Sequence, residues 1–161
     1  DASAALKCRL EEVPARIANL QSELREANQK LKAALTGGSS DAISSAIENA
    51  VDCGSYKLVI AQLEGLEAAD LRNVWDTVRQ KGGSAVACVI ATVTPKGQPA
   101  LLAAATDEAV AAGFKSGDVI KKIAPMVGGG GGGRPQMAQA GGKDASGIPA
   151  ALEAAREMAT A

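Results

Sequence analysis

The stretch Ala85–Val93, AVACVIATV, constrains the fold more than any other part of the chain, because it carries no charge and is rich in β-branched side chains. A run of that length without a polar face reads as a buried strand. Thr94-Pro95-Lys96-Gly97-Gln98 is a turn, and Pro99–Ala105 returns as the hairpin partner. Tyr56–Leu63 is a further strand candidate. Residues 68–81 have helical periodicity, with Leu71, Val74, Trp75 and Val78 on one face and Gly82-Gly83 as the stop. Thr106 or Asp107 can cap a short helix to Ala112. Ser116 is expected to cap another, over 117–127, with Val119, Ile120, Ile123 and Met126 inward. A last helix spans 148–159, with Pro149 near its start. The order strand, helix, hairpin, helices predicts an α/β (α+β) fold, a mixed β-sheet covered by helices. With one Trp, one Tyr and one Phe beside 34 Ala, the core must be built of Leu, Ile, Val and Ala and should be thin.

Upstream, Leu6, Leu10, Val13, Ile17, Leu20, Leu24, Ala27, Leu31 and Ala34 recur at spacings of three and four, an a/d seam. Pro14 breaks that seam near Val13 and suits the first turn of a fresh helix to about Leu35. Glu11 and Glu12 precede it, at the positive end of the helix dipole. Thr36-Gly37-Gly38-Ser39-Ser40-Asp41 is expected to end that helix and cap another running to Asp52, the two forming an antiparallel hairpin. The expected organisation is a helical coiled-coil arm over residues 1–36 and a globular domain over 37–161. The seam reads either as local packing or as a dimer surface.

The chain contains no histidine. Histidine-based nucleophilic triads and ordinary zinc sites are therefore excluded. Cys8, Cys53 and Cys88 are odd in number and lack CxxC spacing, which suits a reducing compartment better than a disulfide framework. Cys88 lies inside an apolar strand and reads as a small hydrophobe, Cys53 is expected to be partly exposed, and nothing nearby activates any of the three. No 18-residue apolar window exists, so no membrane span is expected. DASAALKCRL has neither the pattern of a secretory leader nor an initiator Met, and the chain reads as a piece of a longer protein. The net charge of -1 predicts no bulk affinity for nucleic acid, so any affinity must come from a local patch.

Such a patch surrounds the six-glycine run Gly128–Gly133. From Lys115 to Lys143 the basic residues are Lys115, Lys121, Lys122, Arg134 and Lys143, against the single acid Asp118. Glycines let backbone N–H groups approach an anion closely, and Arg and Lys complete a phosphate site. Arg134-Pro135 follows the glycines where a Walker A loop needs Gly-Lys-Ser/Thr. A GxGxxG match is trivial within six glycines, and no strand leads into it. On composition alone, a flexible linker is an equal alternative.

The order of residues across Gly128–Gly142, glycines followed by Arg134-Pro135, then Ala138-Gln139 and Gly141-Gly142, resembles the DHH-associated domain. That domain closes the C-terminus of alanyl-tRNA synthetase and also occurs in DHH phosphoesterases. Glu11, Glu12, Pro14 and Arg16, the stretch Leu63–Arg72, and Gly141-Gly142-Lys143-Asp144 are similar to the synthetase in particular. Gln136 stands where that family commonly has Asp. The resemblance implies a cytoplasmic, non-catalytic tRNA-binding and bridging or dimerisation module within an alanine–tRNA ligase, assisting aminoacylation and editing. It implies no cofactor in this chain, the ATP, Mg and zinc ion belonging to the parent enzyme. Its expected contacts are the backbone of Gly129, Gly130, Gly131, Gly132 and Gly133 with Arg134, Lys121, Lys122 and Lys143 on phosphate and ribose, and Gln136 and Gln139 toward a base edge or 2′-OH. Arg134 and Lys143 are favoured over Lys121 and Lys122 because they lie in the motif itself. Tyr56 and Trp75 read as core, and Phe114, beside Lys115, is the one aromatic left open for base stacking. Two other readings stand beside this one: an accessory nucleic-acid- or nucleotide-binding domain of a DHH phosphoesterase, and a purely structural dimerisation module.

Overall fold

The computed structural model describes residues 13–160, so Leu6, Cys8, Leu10, Glu11 and Glu12 lie outside the described residues. The chain divides between Gly37 and Gly38 into two compact units. In the first, helix α1 (Val13–Glu48) begins with Pro14 in its opening turn. On it Ile17, Leu20 and Leu24 are exposed (42%, 38% and 62%), at the spacing of the a/d seam.

Two expectations about this helix fail. The backbone stays helical through Thr36–Asp41, so there is one helix and no antiparallel hairpin. Two glycines cost a helix interior about 1 kcal/mol each, which flanking good formers such as Leu31-Lys32-Ala33-Ala34 can outweigh once the helix is nucleated. The helix also stops at Glu48 rather than Asp52, because Val51–Asp52 forms a short strand, β1.

In the second unit, β2 (Lys57–Glu64), helix α2 (Leu71–Gly82) and β3 (Val86–Val93) form a parallel strand–helix–strand unit. Strand β4 (Pro99–Ala105) pairs antiparallel with β3 over Val93↔Pro99 to Ala87↔Ala105. Helices α3 (Asp107–Ala111) and α4 (Ser116–Ile123), then a 3-10 turn over Ala124–Val127, lead to β5 (Gly130–Arg134) and β6 (Met137–Gly141). Helix α5 (Ile148–Thr160) closes the described chain. The sheet order is β1-β2-β3-β4-β6-β5, all neighbours antiparallel except β2 and β3. The mixed sheet with helices, an α+β fold, is therefore as expected.

Helices cover both faces. On one, Leu71, Val74, Trp75 and Val78 of α2 pack on Val59, Cys88, Ile90, Leu102 and Ala104, joined by Ile43 of α1. On the other, Val119, Ile120 and Ile123 of α4, with Ile148, Ala151 and Ala155 of α5, pack on Val89, Leu101, Ala103, Ala138 and Ala140. That two-sided cover is why β3 and β4 are apolar without alternation. Apart from Trp75 and Phe114, the buried side chains of the two clusters are Leu, Ile, Val, Ala and Cys, the residue types that the composition makes available.

Local signals explain most boundaries. The Thr106 hydroxyl accepts from Ala109 N and caps α3. The cap expected at Ser116 is different: Lys115 holds that position without a side-chain bond, and the buried Ser116 hydroxyl is unpartnered. Ser116 N donates instead to Pro135 O (3.0 Å), seating the start of α4 on the β5–β6 turn. Met126, expected inward, is 40% exposed, because the 3-10 turn rotates it off the inward face of α4.

Candidate nucleic-acid interface

The glycine run is an edge strand rather than the expected loop. Gly128, at φ +63°, turns the chain out of the 3-10 segment and into β5. From there the register runs Gly130↔Gly141, Gly131↔Ala140, Gly132↔Gln139, Gly133↔Ala138 and Arg134↔Met137, with Pro135-Gln136 as the two-residue turn.

The glycines alternate in what they do. A Cβ on Gly129, Gly131 or Gly133 would run into the carbonyl oxygen of Gly141, Gln139 or Met137 respectively. On Gly133 it would also stand 2.6 Å from Ala138 Cα. Gly117 of α4 presses on the same strand from the other side, where a Cβ would lie 2.9 Å from Gly133 O. Strand β5 thus leans over β6 so closely that only hydrogen fits at the odd positions. At Gly130 and Gly132 a Cβ would meet nothing within 4 Å. Those two positions share the α2 face of the sheet with Gln139 and Gly141, because cross-strand partners point the same way.

Helix α2 packs over β2, β3 and β4, and beyond it this face has two clefts along β6 and β5. One, of about 640 Å³ at the turn end, is lined by Arg72, Gly132, Arg134, Gln136, Met137 and Gln139 among others. The second, of about 320 Å³ at the opposite end of the hairpin, includes Ala68, Pro99, Gly129, Gly141 and Lys143. The Gln139 carboxamide lies between them and donates to Ala68 O at 3.3 Å. That bond uses one of the two N–H donors of the carboxamide, and its oxygen stays available as an acceptor. Gly129 N donates to Ala124 O, so in place of a convergent nest of five amides the glycines offer an extended edge. Beyond Lys143, Asp144 turns onto its own loop: Oδ1 accepts from Ser146 N (2.9 Å) and Ser146 Oγ (2.6 Å). Those bonds hold its carboxyl below the ordinary 3.8.

The structure therefore brings together Gly130, Gly132, Arg134, Gln136 and Gln139, with Lys143 at the far end of the same hairpin. Lys121 and Lys122 belong to the last turn of α4, which covers the opposite face of the sheet. Phe114 offers no stacking surface: it is 3% exposed, with its ring edge-on to Tyr56 at 5.7 Å between centroids. Burial pushes the Tyr56 hydroxyl up to about 12 and raises the Cys53 and Cys88 thiols, Cys88 the more strongly. Neither thiol is poised as a nucleophile. Among the described residues no group of three or more Cys, Asp or Glu side chains is arranged to hold a metal. Arg72 escaped the sequence reading because it belongs to no phosphate motif. The available signal was its place beside the inward Leu71 on an amphipathic helix, within a stretch that resembles the synthetase.

The family model of the DHHA1 domain matches residues 55–161, which contain the whole hairpin and both clefts. The chain belongs to the DHHA1 domain family. Curated relatives of this DHHA1 domain include the alanine–tRNA ligase of Nostoc sp., 42% identical over 159 residues, and that of Latilactobacillus sakei, 43% identical over 150 residues. The alignments cover 97% and 91% of this chain but 18% and 16% of the relatives, so it spans less than a fifth of their length. Among solved structures, the C-Ala domain from Aquifex aeolicus alanyl-tRNA synthetase superposes with a TM-score of 0.61 at 26% identity. That match covers 70% of this chain and 98% of the other. A DHH domain described as belonging to a family of ribosomal proteins shares the fold, with a TM-score of 0.51 at 14% identity over 94% of this chain and 34% of that one.

Proposed function

We propose that this DHHA1 domain is the tRNA-binding C-terminal module of an alanine–tRNA ligase. It assists aminoacylation and editing in the cytoplasm, without catalysis or a cofactor of its own. ATP, Mg and zinc serve the parent enzyme. The observation that carries this reading is the β5–β6 hairpin. Arg134 marks its turn, Lys143 follows its far end, no acid lies between Gly128 and Lys143, and β5 is an open sheet edge. A cationic edge without side chains suits a sugar–phosphate backbone recognised by shape, with 2′-OH contacts falling to Gln136 and Gln139. Similarity to ligases over nearly the whole chain supports this reading over the phosphoesterase one. No helix among the described residues is long and apolar enough to cross a membrane.

The test is a fluorescence-anisotropy titration of alanine tRNA, an unrelated tRNA and single-stranded DNA across a salt series. Salt-sensitive binding to tRNA is expected, weakened about tenfold, or about 1.4 kcal/mol, by Arg134→Ala. Equal affinity for both tRNAs would identify a reader of their common shape. No tRNA binding at low salt would overturn the reading. The exposed row Ile17, Leu20 and Leu24 supports pairing of the arm with a second copy. Leu24→Asp is then expected to lower the sedimenting mass toward that of a monomer, and a wild-type chain that is already monomeric at tens of micromolar would exclude the pairing.

A further inference from the structure

We propose that Arg72 of α2 is a nucleic-acid contact, which joins Arg134 in gripping one phosphate in the cleft at the turn end of the hairpin. The inference rests on the nucleic-acid reading above and adds to it a residue from a separate element.

Arg72 follows the fully buried Leu71, so it stands on the rim of α2 where that helix borders the uncovered part of the sheet. Arg134 faces the same cleft from β5. Among the described residues neither guanidinium takes part in a hydrogen bond or ion pair. No acidic side chain lines this cleft. Two cations facing one concavity repel each other, and a shared anion removes that repulsion while satisfying both forks of donors.

The neighbouring cleft provides an internal contrast. There Arg79, two turns along α2 from Arg72, shares the lining with Asp107 and Glu108. Those carboxylates supply countercharge, so that cleft has no comparable demand for a phosphate.

The rest of the turn-end cleft matches the remainder of a nucleotide. Met137 is half-buried and gives an apolar floor. Gln139 keeps a free acceptor oxygen, and the exposed Gln136 carries both donor and acceptor. Gly132 contributes backbone with open space where a side chain would project, although neither its backbone angle nor its packing requires glycine. A volume of about 640 Å³ falls in the range of small-ligand pockets. The occupant is one nucleotide of an RNA strand, its phosphate between Arg72 and Arg134 and its ribose or base over Met137 and Gln139.

The test compares Arg72→Ala, Arg72→Lys, Arg79→Ala and Arg134→Ala in the 161-residue chain. The probe is a labelled alanine tRNA transcript over a salt series, with far-UV circular dichroism confirming that each variant is folded. Arg72→Ala is expected to weaken binding about tenfold and to reduce the steepness of the log–log salt dependence by about one. Arg72→Lys should recover only part of the affinity, since an ammonium cannot hold phosphate with a planar fork. Arg79→Ala should match the wild type. If Arg72→Ala binds within twofold of wild type at unchanged slope while Arg134→Ala is weakened, the Arg72 assignment is overturned and the hairpin reading stands. If Arg72→Ala and Arg79→Ala lose affinity equally, a diffuse field of α2 replaces the two-arginine site. If the wild-type chain binds no tRNA, the functional reading itself fails and the assignment fails with it.

Discussion

Replacing Gly131 by alanine should detach the edge of the sheet, while the same change one residue away should be harmless. At Gly131 the new methyl would overlap the Gln139 carbonyl oxygen and approach the Ala140 methyl and backbone. Strand β6 cannot retreat, because its other edge is paired with β4 through Leu101↔Ala140 and Leu102↔Gln139. Strand β5 must move instead and give up its ladder. Overpacking of this kind costs about 1–3 kcal/mol, and a rigid backbone partner places the cost at the upper end. At Gly132 a methyl meets nothing within 4 Å and the backbone is already in a region open to alanine. Gly132→Ala should therefore stabilise by about 0.4–1 kcal/mol through the entropy of the unfolded chain. Urea unfolding of the two variants separates these outcomes by opposite shifts in midpoint. Shifts of the same sign and size would show that β5 does not lean on β6 as described.

A larger loss is expected from Trp75→Ala. Trp75 is the only tryptophan, 5% exposed, and packed with Leu71, Val74 and Val78 against the strands under α2. In a core made mostly of alanine and aliphatic side chains, few neighbours can expand into the space it fills. Truncating a buried aromatic to alanine costs about 3–5 kcal/mol, a large part of the usual total stability of a domain. Thermal unfolding followed by circular dichroism should show the loss, with Trp75→Phe much milder. Because the ring is core rather than a stacking platform, Trp75→Phe should bind tRNA as the wild type does. A loss below about 1 kcal/mol for Trp75→Ala, or a tRNA affinity that falls with Trp75→Phe, would contradict this placement.

How far the sequence could be read depended on where side chains carried the signal. Strands β3 and β4 were legible as unbroken apolar runs on either side of a turn, and helix α2 through the helical spacing of Leu71, Val74, Trp75 and Val78. A cap at Thr106 or Asp107 was legible because both side chains can accept from the first turn of a helix, and the structure assigns it to Thr106. Strand β5 was not, since five residues of which four are glycine have no periodicity, and their extended form is imposed by β6 on one side and α4 on the other. The continuity of α1 through Gly37-Gly38 was hidden for the opposite reason, as a local breaker was outweighed by cooperativity along the helix. Arg134, Gln136 and Gln139, which line one cleft, were singled out through their order around the glycines, which is a one-dimensional signal. Lys121 and Lys122 were drawn in by the same closeness in sequence, and the structure sets them on the opposite face of the sheet. Arg72 could not be found that way, because what brings it to Arg134 is the docking of α2 beside β6.

The most direct test of the central claim is a nitrogen–proton correlation map of the labelled chain titrated with unlabelled alanine tRNA. The largest shifts and broadening are expected on the amides of Gly130–Arg134, Gln136, Gln139 and Lys143, with Arg72 following and Lys121 and Lys122 little changed. Perturbations confined to the arm or to α5, with the hairpin amides unmoved, would contradict it.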